Sequence, residues 1–213
     1  MLTSSNLWMA AQEIANVQIR YAKKGLSMSE VALCGSTGFI EWRHYPSNDL
    51  VDKLSGYEFY YHSHSNDEMP RGEHGHFHLF KRSLQNSQHF HHLMGIALDQ
   101  KGLPVRIFTT NEWVTGEVLV DARSVLKDLK NFDISAKGRM GPLSRWVSAF
   151  TKLFYLQMEA LLLERDCKLN QMELSLGSRR VALSSKKYHV LSECKIDLMV
   201  RLTEYLLATP IKE

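Results

Sequence analysis

The stretch YEFYYHSHSNDEMPRGEHGHFHLFKR, residues 57–82, decides the fold expected for this chain. Its two ends are short and rich in aromatic residues, as β-strands are. The connection at 65–73 contains Pro70 and Gly72, which interrupt strands and favour turns. The stretch therefore predicts an antiparallel hairpin.

Five of the ten histidines of the chain lie in this hairpin. They are His62, His64, His74, His76 and His78. Because strand side chains alternate between two faces, the two before the turn share a face, and so do the three after it. If His64 lies opposite His74, then His62 lies opposite His76, and such neighbours are about 4.5–5.5 Å apart at Cβ. This register predicts five imidazoles on one patch.

A patch of neutral imidazoles predicts a metal site, because imidazole binds zinc, iron, copper and nickel. We expect a divalent transition metal, iron or zinc first, held by histidines and one carboxylate. The predicted metal ligands are His62, His64, Glu68, His76 and His78, and the predicted catalytic residues are Glu73 and His74. Glu73 is also an alternative to Glu68 as the carboxylate ligand. One ion needs fewer histidines than this, so the others are expected to support the ligands through hydrogen bonds or to lie on the surface.

Helical patterns flank the strand-like centre of the chain. Residues 1–37 are predicted to form N-terminal helices and residues 143–208 C-terminal helices, because apolar residues recur there at helical spacing. Residues 38–122 contain short strand-like segments with turn-rich connections, which predicts an antiparallel meander. A loop or small hairpin is expected at 174–187. The predicted fold class is α+β, with an antiparallel sheet flanked by helices in a single domain, 1–213.

Composition limits the class of protein. The chain has 213 residues, with 26 Lys and Arg against 23 Asp and Glu, and a formal net charge of +3. This small excess, without a basic stripe, argues against a nucleic-acid partner. The chain has no apolar run long enough for a membrane span and no signal-peptide pattern, so no membrane association is expected. Three cysteines, an odd number without metal-knuckle spacing, favour a reducing compartment, and we predict a cytoplasmic protein.

The segment FTTNEWVTGE, residues 108–117, is polar for the end of a strand. Its threonines, Asn111 and Glu117 could line a pocket beside the sheet. Alternatively, Asn111 and Gly116 suit a turn and Trp113 suits the core, and we favour this second interpretation.

One motif of the hairpin resembles the first motif of the cupins. Its spacing of glycine, His-x-His, glutamate and glycine is followed by Gly56, YEFYY, His62-Ser63-His64, SND, Glu68, MPRGEH and Gly75. In cupins these histidines and this glutamate bind the metal, so the resemblance implies a cupin-like sheet with His62, His64 and Glu68 as ligands. The second cupin motif, which adds a histidine, is not found, and His76 or His91 would have to replace it.

The segment HGHFHLF, residues 74–80, resembles the signature of histidine-triad nucleotide hydrolases and transferases, in which three histidines alternate with apolar residues. The resemblance implies that His76 is a nucleophile toward phosphate, flanked by His74 and His78. We place this hypothesis below the metal site.

A third resemblance extends over most of the chain. GEHGHFHLF and FTTNEWVTGE, with EWRHYPSNDLVD before them and SRWVSAFTKLFYLQMEALLLERD after them, resemble a family of uncharacterised bacterial proteins known only as a domain of unknown function. This resemblance implies a single-domain bacterial protein and no particular activity.

The sequence leaves three functional hypotheses open. The first is a His-rich, metal-binding protein that acts on a small-molecule substrate. The second is a non-enzymatic accessory protein that binds a protein partner or forms a homo-oligomer. The third is a nucleotide hydrolase or transferase of the histidine-triad kind.

Overall fold

A six-stranded antiparallel sheet forms the centre of the computed structural model, which describes residues 3–36, 40–64, 70–86 and 88–207. Each strand pairs with its neighbour in chain order, so the sheet is a meander. The strands are β1 Tyr45–Val51, β2 Tyr57–His62, β3 Glu73–Arg82, β4 Phe90–Asp99, β5 Pro104–Thr110 and β6 Val190–Lys195.

Helices precede and follow the first five strands. They are α1 Ser4–Ala22, α2 Met28–Ala32, α3 Glu112–Thr115, α4 Ala122–Lys130, α5 Gly141–Leu153, α6 Tyr155–Leu176, α7 Arg179–Ser184 and α8 Leu198–Leu206. A short 3-10 helix, Gly138–Met140, leads into α5. Within the described ranges, no helix has both the length and the apolar character needed to cross a membrane.

Local sequence sets where several of these helices begin and end. Thr3 and Ser27 accept hydrogen bonds from the first turns of α1 and α2, and each takes part in a capping box. Pro142 lies in the first turn of α5, where a helix tolerates a missing N–H. Gly177 has a φ of 82° and ends α6 in the left-handed conformation that favours glycine.

These elements confirm the predicted α+β class, with an antiparallel sheet and helices on both sides of it in the chain. The C-terminal helices predicted within 143–208 do form, but the segment after the expected loop is not helical throughout, because β6 occupies its first part. This strand has six residues and is followed closely by α8, so its short apolar alternation merges with the helical spacing after it. The loop or hairpin expected at 174–187 is also wrong, since α7 forms there behind the N-cap Ser178. The single-domain organisation stays a prediction.

The two faces of the sheet have different surroundings. One of them, the core face, packs against the helices and carries Phe59, Tyr61, Phe77, Leu79 and Ile96. Phe77 lies against Trp146 of α5, with ring centroids 6.2 Å apart. Removal of each such side chain from water stabilises the fold by about 1.5–3 kcal/mol. The opposite face, the site face, carries Tyr60, His62, His76, His78 and Phe108.

Two β-bulges interrupt the alternation of side chains in the pairing of β3 with β4. Glu73 and Gly75 of β3 pair with consecutive residues of β4, which leaves His74 as an extra residue. Leu93 is the extra residue of β4 in the same way. A bulge shifts the side chains beyond it to the opposite face, so these two positions decide which histidines lie on the site face.

A glycine of β4 allows an aromatic ring to reach the histidines. The ring of Phe108 lies across β4, and a Cβ at Gly95 would collide with it. The ring centroid of Phe108 is 5.3 Å from that of His76 and 5.9 Å from that of His78. The missing side chain at Gly95 therefore makes room for the Phe108 ring beside the two histidines.

The sheet order bears on the cupin resemblance. Cupins are double-sheet jelly rolls built from Greek keys. The described strands instead form one sheet with neighbours in chain order. The fold does not confirm the cupin-like prediction, which remains a resemblance of sequence.

Candidate metal centre

Three buried histidines from adjacent strands come together on the site face. His62 of β2 lies opposite His76 of β3, which confirms the predicted register, and His78 follows two residues along β3. One ligand nitrogen from each of the three lies within 4.8 Å of the others. The Nε2 atoms of His62 and His76 are 2.7 Å apart. We call these three residues the histidine triad of the site face.

Burial keeps the triad uncharged. It lowers the pKa of His62 to about 3, and the neighbouring imidazoles of His64 and His44 add to this effect. The pKa values of His76 and His78 are also lowered well below the ordinary value, first by burial and then by nearby imidazoles. Each neutral imidazole keeps one lone pair on a ring nitrogen, which is the form that a metal can bind.

The donor set suits a transition metal. Three imidazole nitrogens are typical ligands of zinc and iron, which bind them at about 2.0–2.1 Å in the case of zinc. The Nδ1 atom of His76 is buried and has no hydrogen-bond partner among the described residues. A buried polar atom without a partner costs about 1–3 kcal/mol, which is unusual for a side chain that serves only to pack. The triad could therefore hold a metal ion.

His64, the other predicted ligand of β2, lies beside the triad. Its ring centroid is 4.8 Å from that of His62, and its ring stacks on His76 at 5.2 Å. The edge of Trp42 packs against it at 4.1 Å. Among the described residues, the compact group of ligand atoms contains only the triad, so the role of His64 as a ligand stays a prediction.

His74 does not share the face of His76 and His78, so the predicted patch of five imidazoles is wrong. Its Nδ1 atom is 2.7 Å from the hydroxyl group of Tyr61, which belongs to the core face. The cause is the bulge of β3, in which His74 is the extra residue. The catalytic role predicted for His74 is not tested by this placement, but the side chain points away from the triad.

Glu73 lies on the site face in place of His74, because the bulge turns His74 away from it. The side chain of Glu73 is paired with Arg106. Its Oε1 accepts from Nε of Arg106 at 2.6 Å, and its Oε2 accepts from Nη2 of Arg106 at 2.8 Å. Arg106 also donates from Nη1 to Oε2 of Glu193 in β6 at 2.7 Å. Both oxygens of Glu73 are therefore occupied, and its predicted role as a catalytic residue or ligand stays a prediction. Glu68, the other predicted carboxylate ligand, lies outside the described residues.

A fourth buried histidine, which the sequence did not assign to the site, supports the triad. His92 Nε2 is 2.9 Å from His78 Nδ1, and His92 Nδ1 is 3.2 Å from the hydroxyl oxygen of Thr110. Simple alternation predicts His92 on the opposite face from His91, and His91 does bind Asp128 on the helix side at 3.0 Å. The bulge at Leu93 is what aligns His92 with His78, and the sequence gives no local signal for it.

A cleft of about 450 Å³ opens above the triad. Its described lining is aromatic and polar, and consists of Trp42, Tyr60, His62, His64, Pro70, His76, His78, Arg106, Phe108, Thr110, Val114, Thr115, His189, Val190 and Glu193. The helical spacing of the C-terminal segment predicts a helix where β6 lies, so the contribution of this strand to the cleft could not be predicted. Thr110 and Thr115 line the cleft, so the turn interpretation of FTTNEWVTGE covers only part of that segment. Asn111 does cap α3, as that interpretation expects.

The fold and the site define the class: an α+β protein whose antiparallel meander holds a buried group of three histidines beneath a cleft. The chain belongs to the family described as a domain of unknown function (DUF6969), whose model matches residues 8–196. This match confirms the predicted membership of an uncharacterised family. Comparison with curated proteins and with solved structures gives no match.

Proposed function

We propose that this protein is a metal-dependent enzyme that acts on a small molecule bound in the cleft. The observation that carries the proposal is the histidine triad, with three buried neutral imidazoles whose ligand atoms lie within 4.8 Å of one another. A volume of about 450 Å³ is within the usual range for small-molecule sites. A single structural ion would not need a cleft of this size above it.

We propose iron or zinc as the metal. Three imidazoles without a thiolate suit both, and they leave coordination positions for water or substrate. Zinc would supply a Lewis acid for hydrolysis, and iron would supply oxygen chemistry.

The residues around the triad have separate tasks in this proposal. His62, His76 and His78 hold the ion, and the aromatic walls of the cleft exclude water from it. Arg106 fixes the carboxylate of Glu193, whose side chain is 54% exposed. Because Glu193 lines the cleft and is solvated, it is placed to accept a hydrogen bond or a proton from the substrate.

The first test is the metal content of untagged protein, measured by plasma mass spectrometry. We expect about one equivalent of metal in the wild type and a loss of most of it in a His62→Ala, His76→Ala double variant. His89→Ala is the matched control, because His89 is exposed and lies outside the cleft lining. A wild-type protein that contains no metal and takes up none on addition would refute the proposal, as would a double variant with full occupancy.

A second candidate is an accessory protein that binds a partner or a second copy of itself. It is favoured by exposed leucines on α6, where Leu156, Leu163 and Leu174 have exposed fractions of 63%, 54% and 86%. Light scattering after size-exclusion chromatography tests it. A monomeric protein with stoichiometric metal would count against this candidate.

The histidine-triad nucleotide hydrolase remains a third hypothesis. It requires His76 to attack a phosphate without metal, whereas Nε2 of His76 faces His62 at 2.7 Å. The only Arg or Lys in the described lining, Arg106, is already paired with two carboxylates. Nucleotide turnover by metal-free protein would support the hypothesis, and failure to bind any nucleotide would remove it.

We also propose a cytoplasmic location. The proposal is supported by the cysteine content, since Cys34, Cys167 and Cys194 are all free thiols. Fractionation of cells that produce the native protein tests it, and recovery from an oxidising compartment would contradict it.

A further inference from the structure

His92 lies directly behind one of the proposed ligands, and both rings are buried. His78 Nδ1 and His92 Nε2 are 2.9 Å apart and form a hydrogen bond. Relative exposures of 3% for each residue leave no room for solvent to compete. This contact uses one ring nitrogen of His78 and leaves its Nε2 for the cleft side.

The far side of the His92 ring is also held. Its Nδ1 is 3.2 Å from the hydroxyl oxygen of Thr110. The backbone N–H of His92 donates to Oε2 of Glu117 at 2.5 Å. Glu117 is itself buried and accepts from the hydroxyl of Thr115 at 3.3 Å. His92 is therefore fixed at its ring and at its backbone.

The directions of these hydrogen bonds are linked. A His78 ring that binds metal through Nε2 must carry its proton on Nδ1, and it then donates to Nε2 of His92. His92 must accept at Nε2, so its own proton lies on Nδ1 and is donated to Thr110. The donor in one hydrogen bond thus fixes the donor in the next. The series ends at the hydroxyl group of Thr110, which can accept a hydrogen bond.

We infer that His92 is a positioning residue that fixes Nε2 of His78 as the metal-binding nitrogen. The inference rests on the proposed metal-binding function. It assigns His92 a role outside the ligand set, in which the hydrogen bond from the ligand ring sets both its orientation and its tautomer. The bulge at Leu93 exists in this view to align His92 with His78 and to free its N–H for Glu117.

Zinc affinity, measured by competition with a chromophoric chelator, tests the inference. We expect His92→Phe to keep the ring volume, lose the acceptor and weaken zinc binding about 10–100-fold, whereas His92→Gln keeps an acceptor and loses less than about tenfold. His91→Phe is the matched control, because His91 is the adjacent residue of β4, makes one hydrogen bond and faces the helices. Its zinc affinity is expected to stay within about twofold of the wild type.

The outcomes separate the two proposals. If the wild type binds neither zinc nor iron, the proposed function fails. If the wild type binds zinc and folded His92→Phe binds it equally tightly, the inference on His92 is overturned and the metal site stands. Circular dichroism reports whether the variant is folded. If it is not, long-range proton–nitrogen correlation spectra of the zinc-loaded wild type decide, with His78 protonated at Nδ1 as the expected result and at Nε2 as the contrary one.

Discussion

At the scale of the residue, the site face combines neutral groups and tightly paired charges. Burial leaves the triad uncharged, as the lowered pKa of His62 illustrates. Arg106 remains in the same low-dielectric region because Glu73 binds it through both oxygens and Glu193 through one. The side chains of Glu73 and Arg106 are only 5% and 11% exposed. Each charge is therefore stabilised by its partner instead of by water.

We expect Glu73→Gln to lower the free energy of unfolding by about 2–4 kcal/mol, because a buried guanidinium would lose its bidentate partner. The matched control is Glu13→Gln, which breaks an ion pair with Arg145 whose two side chains are 36% and 51% exposed. An exposed pair contributes about 0–1 kcal/mol, so the control should unfold nearly as the wild type does. Urea denaturation measures both. Equal losses in the two variants would contradict a buried structural role for Glu73.

At the scale of the element, the hairpin of β2 and β3 shows how much of the site the sequence specifies. The period-two alternation and the turn between the strands were enough to predict that His62 faces His76, and the structure has that register. The two bulges could not be predicted, because any residue can be the extra one of a bulge and no composition marks it. One bulge removes His74 from the site face and the other brings His92 to it. The sequence does not reveal β6, because its short apolar alternation merges with the helical spacing of α8, which follows it closely.

Truncation of two adjacent residues of β3 should affect stability and metal content differently. Phe77→Ala opens a cavity in the core face beside Trp146 and is expected to lower the free energy of unfolding by about 3–5 kcal/mol, with metal content preserved in the folded fraction. His76→Ala is expected to lower the free energy of unfolding by less than half of that amount, because His76 lines the open cleft. It should also remove most of the bound metal, because His76 belongs to the triad. Urea denaturation and metal analysis of both variants test this pair. A His76→Ala protein that keeps its metal would contradict the assignment of the two faces.

At the scale of the whole molecule, the buried histidines make stability depend on pH. The pKa values of His62 and His92 fall to about 3 in the folded protein, mainly through burial, from an ordinary value of 6.5. The folded state thus binds fewer protons than the unfolded state between about pH 6.5 and 3, and stability falls as the pH falls through that window. Burial raises the pKa of Glu117 to about 7, and this carboxyl acts in the opposite direction between pH 4.5 and about 7.

We expect the free energy of unfolding, measured with a chelator present, to fall by up to about 1.4 kcal/mol per pH unit for each buried histidine below pH 6.5. A His62→Gln variant should show a smaller slope, because it removes one such group. His89→Gln, which changes an exposed histidine, should keep the slope of the wild type. Identical slopes in all three proteins would show that the buried histidines do not govern acid stability.

Neighbouring strands of this meander are also neighbours in the chain, so the contacts of the site close short loops. His62 and His76 are separated by 14 residues, and so are His78 and His92, whereas Thr109 and Ser192 of β6 are separated by 83. Short loops cost less entropy to close, so β2, β3 and β4 should pair before β6 joins them. Pulsed hydrogen exchange during refolding should protect the amides of these three strands first, and simultaneous protection of β6 would contradict this order. During synthesis on a ribosome, the three nitrogens of the triad would then come together before β6 has been translated.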